Sequence, residues 1–259
     1  MSTIREAATI ILLRAGQPGF EAFMLRRTRK ASFMASAFVF PGGAAEPNED
    51  ARTAAARELF EEAGVLLARD SGSQNETLQL MTQDQLRQKI LGGAPADQVM
   101  ERAGLAWATD GLVPWSHWIT PSIEPKRFSA RFFVAEMPAG QTPTFDANET
   151  VEQIWISPAN ALARSAELNL PPPQVRTMWE LSQYNSITEV IAAGRRRADE
   201  PHPIMPRLLP SPSGITLLLP WDADYNDKGT GEATPLAYNP SWAVGPSRFS
   251  LVDGAWQAS

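Results

Sequence analysis

The sequence contains no cysteine and only two histidines among its 259 residues. The lack of cysteine excludes disulfide bonds, thiolate metal ligands and cysteine nucleophiles, and it suits a reducing compartment. The two histidines, His117 and His202, do not have the spacing of paired metal ligands. We therefore expect a structural role for each of them.

Long hydrophobic runs and long basic stretches are also missing. The apolar stretch 7–13 is too short for a signal-peptide core or a membrane span, and the last three residues, 257–259, are not a peroxisomal targeting tripeptide. The formal net charge is -6, which argues against attraction to a phosphate backbone. We expect a cytoplasmic protein with neither a polynucleotide nor a membrane as partner.

The composition, with 43% hydrophobic and 20% charged residues, is that of a folded globular protein. Alternating and periodic apolar positions predict a β-hairpin with strands at 7–13 and 20–25, and a strand at 37–40. They then predict a helix at about 50–63, with Asp50 as N-cap and Gly64 at its C-terminal end. The length allows either one elaborated domain or two.

The rest of the chain predicts a mixture of helices and strands. Polar residues at 77–105, interrupted at 92–95, indicate two short helices that form an insertion or a lid. In the strand predicted at 127–136, an apolar face (Phe128, Ala130, Phe132, Val134) alternates with a basic one (Arg127, Ser129, Arg131). The other elements predicted are strands at 113–120, 151–156 and 215–219, helices at 158–168 and 174–193, and a hairpin about Asp253-Gly254.

Three acids are concentrated near the end of the helix predicted at 50–63. Glu58 and Glu62 are four residues apart and Glu61 lies between them, so all three carboxylates share one face. Two carboxylates about 5–6 Å apart repel by about 3 kcal/mol at an effective dielectric near 20. Arg57 can orient Glu61 but cannot neutralise three charges. The remaining charge favours a hard divalent cation, with magnesium as the natural candidate and manganese as an alternative.

Acidic clusters are usually only the solvated face of a helix, but here the spacing of the whole segment is specific. It resembles the Nudix box, and a match at all nine fixed positions arises by chance on the order of once per billion start positions. Those positions are filled by Gly43, Glu49, Arg57, Glu58, Leu59, Glu61, Glu62, Gly64 and Val65.

This resemblance implies an α/β Nudix fold, in which a mixed β-sheet is sandwiched between helices (α/β/α). We expect the Nudix domain at 1–165, with a helical insertion at about 71–105. Residues 166–259 would be a C-terminal helix and a Pro-rich extension packing on the same domain. The resemblance also implies that Glu58, Glu61, Glu62 and the carbonyl of Gly43 bind metal, while Arg57 and Glu49 shape the loop. For the general base it leaves three candidates, which are Glu58, Glu149 and Glu152.

The segment upstream of the box is similar to the signature of Nudix coenzyme A diphosphatases. Arg27 falls on the first Arg of that signature, whereas Ser32 and Ser36 depart from it. The likeness is closer to the peroxisomal coenzyme A diphosphatase branch, through residues 32–43 and 118–121. It implies hydrolysis of coenzyme A or an acyl derivative to 3′,5′-ADP and 4′-phosphopantetheine or its acylated form.

Arginines are the candidates for binding the phosphates of such a substrate. Arg27 is the first, and Arg127 and Arg131 follow, although charge runs such as 26–30 are often only solvated. Trp118 and Trp221 are candidates for stacking on an adenine.

Two alternatives stay open at this point. One is a Nudix hydrolase of ADP-ribose, dinucleotides or nucleotide sugars, and the other is a catalytically silent sensor. Sensors of this kind usually lose box acids, which this sequence retains. The sequence does not decide the oligomeric state, and a homodimer is kept open.

Overall fold

The computed structural model describes residues 3–29, 34–72, 81–211 and 214–259. The strands in this part of the chain are β1 (Ile4–Ala15), β2 (Phe20–Arg27), β3 (Phe38–Val39), β4 (Gly42–Ala44), β5 (Ala68–Asp70), β6 (Leu105–Trp107), β7 (Val113–Ile119), β8 (Arg127–Glu136), β9 (Thr150–Ile156), β10 (Pro203–Ile204), β11 (Arg207–Ser211), β12 (Gly214–Leu218), β13 (Arg248–Val252) and β14 (Ala255–Ala258). The helices are α1 (Ala51–Ala63), α2 (Gln83–Leu91), α3 (Ala96–Arg102), α4 (Pro158–Ala163), α5 (Pro172–Leu181) and α6 (Ile187–Arg197).

Eight strands form a mixed sheet in the order β10-β7-β8-β1-β2-β3, while β4 pairs with β1 and β9 pairs with β2. The pairs β1/β8 and β10/β7 are parallel, and the others are antiparallel. The predicted hairpin is confirmed by the β1/β2 pair.

Helices cover both faces of this sheet. On one face Ile10 and Leu12 of β1 pack with Leu59 of α1, and on the other face Ile11 packs with Met178 of α5. A strand that is buried on both sides needs apolar residues at successive positions, which explains the continuous apolar run of β1. The expected fold class, a mixed sheet between helices, is confirmed.

The caps of α1 were predicted from local sequence and are confirmed. The Asp50 side chain accepts hydrogen bonds from the backbone N–H of Arg52 at 2.9 Å and of Thr53 at 3.2 Å. Gly64 ends the helix in the left-handed conformation, with φ +66°. Both ends of the helix that carries the acids are therefore fixed by residues adjacent to it.

The two short helices predicted in the insertion are α2 and α3, which pack on Ala56 and Phe60 of α1. The strands β5 and β6 flank them as a two-stranded sheet that was not predicted. Residues 73–80, which belong to the predicted insertion, lie outside the described residues. The segment predicted as an insertion therefore packs on the helix that carries the acids, and its origin as an insertion stays a prediction.

The single helix predicted at 174–193 is wrong, because the chain forms α5 and α6 instead. Ser186 interrupts it: its side chain accepts a hydrogen bond from Glu189 N and starts α6 as an N-cap. The helix predicted at 158–168 is also shorter than expected, since α4 ends at Ala163.

The C-terminal residues add strands to two sheets. β10 extends the main sheet, whereas β11–β14 form a separate antiparallel sheet. The predicted hairpin is confirmed, with Asp253 and Gly254 at φ +49° and +80° between β13 and β14. Phe249 and Leu219 pack in the same hydrophobic cluster as Ile11 of β1. A domain boundary at residue 165 stays a prediction.

The basic face predicted for β8 is wrong at Arg127. This side chain is only 6% exposed, and its guanidinium donates to Thr120 O at 3.1 Å and to Glu232 Oε2 at 3.2 Å. The C-terminal extension covers that end of the strand, so a position that alternation assigned to solvent is buried. Arg131 on the same strand is exposed.

Candidate active site

Strand β4 brings the first residue of the box beside the acids of α1. It runs antiparallel to β1, with Gly43 opposite Ala8. A Cβ atom on Gly43 would lie 2.6 Å from the carboxylate atoms of Glu58, which is closer than any side chain permits. A side chain at this position would therefore displace the Glu58 carboxylate.

Arg57 holds the loop between β4 and α1 in place. Its guanidinium forms two 2.9 Å hydrogen bonds with the Glu49 carboxylate and a third, also 2.9 Å, with Ala44 O. The same side chain contacts Glu58 at 3.0 Å and Glu61 at 3.2 Å. Burial opposes its charge, but the pairs with these acids outweigh burial and raise the pKa of Arg57. The bidentate pair fixes the loop geometry.

Glu62 is a buried acid with little compensation for a negative charge. It is 6% exposed, and Gly42 N–H donates to its Oε2 at 2.9 Å. Burial and then the negative charge of Glu58 raise the pKa of Glu62 to about 8, although the Gly42 N–H and Arg27 favour the ionised form. A cation bound here, in addition to Arg27, would therefore be strongly stabilised by the Glu62 carboxylate.

The other two acids of the helix, Glu58 and Glu61, also have raised pKa values. Burial raises the pKa of Glu58 to about 7; Arg57 opposes this rise, and Glu61 adds to it. Burial likewise raises the pKa of Glu61, against the effect of Arg57. All three acids of the helix are therefore held in a region where a carboxylate is costly without a cation.

The side chains around the box are the candidate ligands for a divalent metal. Among the described residues no three acidic or imidazole side chains converge into a complete set of ligands. Arg57 Nη1 donates to both Glu58 and Glu61, at 3.0 and 3.2 Å. Magnesium, however, is usually held by one or two carboxylates, with water and substrate phosphates as the other ligands. The Glu58 carboxylate next to Gly43 and the buried Glu62 carboxylate fit that chemistry.

Of the two later acids predicted as general-base candidates, only Glu149 lies near the box. Its negative charge contributes to the raised pKa of both Glu58 and Glu62, and Thr28 N donates to its carbonyl at 2.9 Å. Glu152 instead pairs with Arg26 at 3.1 Å. The structure thus brings Glu149 to the acids of α1 and gives Glu152 another partner.

Arg27 ends β2 on the same side as the box. It pairs in register with Thr150, beside Glu149, and its positive charge favours the ionised form of Glu62. The Nε atom of Arg27 is buried, and within the described residues it has no hydrogen-bond partner. The Arg27 side chain as a whole is half-buried, so part of it is accessible beside the box. The neighbouring residues 30–33 of the coenzyme A signature lie outside the described residues.

The other two arginine candidates lie elsewhere. Arg131 lines a separate cavity of about 440 Å³ at the N-terminal end of α1, together with Arg52. Arg52 precedes Glu62 by ten residues, which is about 15 Å along a helix. Arg127 is occupied by the partners described above. The structure therefore groups only Arg27 with the acids.

The aromatic and imidazole candidates contact other side chains of the protein. Trp118 is buried in the main hydrophobic cluster and cannot stack on a ligand as it stands. Trp221 packs edge to face on Trp242, with ring centroids 5.9 Å apart. His117 is hydrogen-bonded to Ser129 at 2.9 Å, and His202 packs on the Tyr238 ring. The expected structural roles of the two histidines agree with these contacts.

Sequence reasoning missed Asp146. Its carboxylate accepts hydrogen bonds from Glu149 N and Thr150 N, both at 3.0 Å, and from Thr150 Oγ1 at 2.6 Å. This turn places Glu149 next to β9. An aspartate three or four residues before a strand is a signal for a side-chain turn and could have indicated it.

Comparison with known proteins agrees with this geometry. The family model described as the NUDT19 Nudix domain matches residues 47–181. This chain belongs to the Nudix hydrolase family. Nudix hydrolase 7 of Caenorhabditis elegans is 34% identical over 191 residues, a match that covers 70% of this chain and 62% of that protein.

The helices of the described residues include none with the length and hydrophobicity of a membrane span.

Two curated Nudix relatives carry a more specific name, acyl-coenzyme A diphosphatase NUDT19. The protein of Gallus gallus is 27% identical, and its match covers 85% of this chain and 79% of that protein. The protein of Homo sapiens is 30% identical, and its match covers 67% of this chain and 50% of that protein. This Nudix chain spans less than two thirds of the length of the relatives from Caenorhabditis elegans and Homo sapiens.

A solved Nudix structure supports the fold over most of the chain. The NUDIX hydrolase from Alicyclobacillus acidocaldarius superposes with a TM-score of 0.64 at 25% identity. The match covers 74% of this chain and 97% of that chain. The Nudix fold therefore accounts for most of the architecture described above.

Proposed function

We propose that this Nudix protein is a magnesium-dependent diphosphatase that hydrolyses coenzyme A or an acyl-coenzyme A. The products would be 3′,5′-ADP and 4′-phosphopantetheine or its acylated form. The observation that carries the proposal is the grouping of three acids of α1, one buried and two half-buried, with Glu149 and Arg27 around one site. The names of the relatives from Gallus gallus and Homo sapiens support the choice of substrate.

In this proposal the acids of α1 and the Gly43 carbonyl hold the cation, and Arg57 keeps the loop of Gly43 in position. A bound divalent cation lowers the pKa of a water ligand and neutralises charge on the diphosphate oxygens. Manganese would serve the same purpose.

Glu149 and Arg27 act on the substrate in this scheme. Glu149 is the exposed acid beside the buried cluster, so it can accept the proton of the attacking water. Arg27, which is half-buried at the end of β2, offers a guanidinium for a phosphate group. Its position at the end of β2 places it beside Glu149 rather than at the far end of α1.

The test is a substrate panel with product identification. Purified protein with excess magnesium is given coenzyme A, acetyl-coenzyme A, ADP-ribose, a diadenosine polyphosphate and a nucleotide sugar, and products are separated by chromatography. The proposal expects 3′,5′-ADP from the first two compounds, at the highest kcat/KM of the panel. A preference for ADP-ribose, dinucleotides or nucleotide sugars would leave only the general Nudix chemistry, and no turnover of any compound would support a silent sensor. A cytoplasmic location and a homodimer stay predictions.

A further inference from the structure

Arg87 reaches from the inserted helix α2 to the C-terminal turn of α1. It is 8% exposed, and its Nε and Nη2 donate to the Glu61 carbonyl at 3.1 and 2.8 Å. This carbonyl is one of the last four of the helix and lacks a partner within α1. A positively charged guanidinium at this end also interacts favourably with the negative end of the helix dipole. Arg87 therefore caps the turn that carries Glu61 and Glu62.

Gly64 of the Nudix box leaves space for this contact. A Cβ atom there would lie 2.8 Å from Arg87 Nη1 and 3.1 Å from Thr144 Oγ1. The positive φ of Gly64 already favours glycine. The close approach of Arg87 gives this position a second reason to be glycine.

The third nitrogen of Arg87 extends the connection to the loop that carries Glu149. Arg87 Nη1 donates to Thr144 Oγ1 at 3.0 Å, and Thr144 N donates to the Ala63 carbonyl at 2.8 Å. Burial lowers the pKa of Arg87, and the negative charge of Asp146, two residues beyond Thr144, opposes this lowering. Asp146 in turn accepts from Glu149 N at 3.0 Å.

Two glutamines close the same junction. Gln83 of α2 donates to the Gly64 carbonyl at 2.6 Å and to Gln141 Oε1 at 2.8 Å. Gln141 also forms two 2.8 Å hydrogen bonds with the backbone of Leu66. Side-chain hydrogen bonds on both sides of Gly64 thus join three parts of the chain: the segment of α2 and α3, the end of α1 and the loop before Glu149.

We propose that Arg87 is a positioning residue for the diphosphatase site. It fixes the end of α1 relative to the 141–149 loop, so that the acids of α1 and Glu149 keep one geometry. The insertion thereby supports the catalytic arrangement through Arg87. This inference rests on the proposed function for its kinetic readout, but it predicts an effect on metal binding as well.

Two substitutions remove parts of the junction without removing a buried charge. Arg87→Lys keeps the charge but cannot donate to Glu61 O and Thr144 Oγ1 with a planar fork. Thr144→Val removes one hydroxyl at an exposed position. Arg102→Lys, at an exposed arginine of α3, and Thr142→Val, at an exposed threonine of the same loop, are matched controls.

Each variant is measured for thermal stability, for kcat and KM with acetyl-coenzyme A in excess magnesium, and for magnesium affinity by calorimetry. We expect Arg87→Lys to lower kcat and magnesium affinity by about 10- to 100-fold each, the range found when groups behind metal ligands are changed. KM should stay near the wild-type value. Thr144→Val should give a smaller loss of the same kind, and both controls should match wild type.

The outcomes separate this inference from the proposed function. If Arg87→Lys melts at a lower temperature while its kcat and magnesium affinity equal those of wild type, Arg87 is only structural and the inference is wrong. If wild-type protein does not cleave acetyl-coenzyme A, the proposed function fails. In that case an unchanged magnesium affinity in Arg87→Lys overturns the inference, and a tenfold loss supports it.

Discussion

The backbone N–H of Gly42 donates to Glu62 Oε2 at 2.9 Å, across a gap of 20 residues. This bond connects strand β4 to the last turn of α1, so the loop and the helix of the Nudix box form one unit. It also directs one carboxylate oxygen of Glu62 to the backbone. In the proposed function the other oxygen of Glu62, together with Glu58, would bind the cation.

Glu62→Gln is expected to lower kcat by about 100-fold or more, because the loss of a metal-binding carboxylate removes several kcal/mol of charge stabilisation. The amide oxygen can still accept from Gly42 N, so the melting temperature should stay near that of wild type or rise. Glu101→Gln, at an exposed acid of α3, is the control and should leave kcat unchanged. Steady-state kinetics and thermal unfolding test this prediction. Near-normal turnover in Glu62→Gln would contradict the proposed role of Glu62 as a metal ligand.

The stability of the metal-free protein should fall as pH rises. The folded-state pKa values of Glu58 and Glu62 are raised to about 7 and about 8 by burial, so the folded state binds more protons than the unfolded state. Their contribution is fully present below the unfolded pKa and is lost as pH rises through about 8. Excess magnesium should therefore raise the melting temperature more at about pH 9 than at about pH 6.

The measurement for this prediction is thermal unfolding with excess magnesium and with excess chelator at both pH values. In Glu62→Gln the pH dependence should shrink, since one of the two groups no longer titrates. An equal magnesium effect at both pH values would show that these carboxylates do not control metal binding.

Gly43→Ala is expected to lower kcat by about tenfold or more, because its Cβ would meet the Glu58 carboxylate at 2.6 Å and displace it. Gly111→Ala is a suitable control, since a Cβ there has no atom within 4 Å among the described residues. Kinetics at saturating magnesium would test the pair. Equal kcat in both variants would mean that the position of Glu58 is not critical.

Arg57→Lys should lower the free energy of unfolding by about 1.5–3 kcal/mol, the typical worth of a charged hydrogen bond. Lysine cannot reproduce the fork that joins Arg57 to Glu49 and to Ala44 O. Arg164→Lys, in an exposed pair with Glu167, should leave the free energy of unfolding close to that of wild type. Denaturant unfolding of the three proteins gives both values, and similar losses in the two variants would refute the role of Arg57.

Arg27→Ala should change the discrimination between coenzyme A and dephospho-coenzyme A. If Arg27 binds the 3′-phosphate, wild-type protein should prefer coenzyme A by about one to two decades in kcat/KM, equivalent to about 1.5–3 kcal/mol. The variant should treat the two compounds alike. Arg26→Ala, at the arginine that pairs with Glu152, should keep the preference. Equal kcat/KM values in wild-type protein would place the 3′-phosphate away from Arg27.

Local sequence predicted α1 and its acids well, because the caps Asp50 and Gly64 and the helical spacing of the acids act within a few residues. The burial of Arg127 could not be predicted, since its partner Glu232 lies 105 residues away. The break between α5 and α6 falls at residues 182–186, where serine and asparagine favour caps and turns, so a local signal was present and the helical periodicity on either side hid it. Arg87 was missed because its role depends on a tertiary contact of an insertion.

The parallel pairing of β1 and β8 has a consequence for folding during synthesis. The partner of Ile4 in this pair is Arg127, and the partner of Leu13 is Glu136, so one edge of β1 is completed by residues made much later. Until then the nascent hairpin presents unpaired backbone groups beside a continuous apolar run, which is a template for pairing with another chain. We therefore expect early stalling of translation, more than loss of the C-terminal sheet, to yield aggregating fragments of this protein.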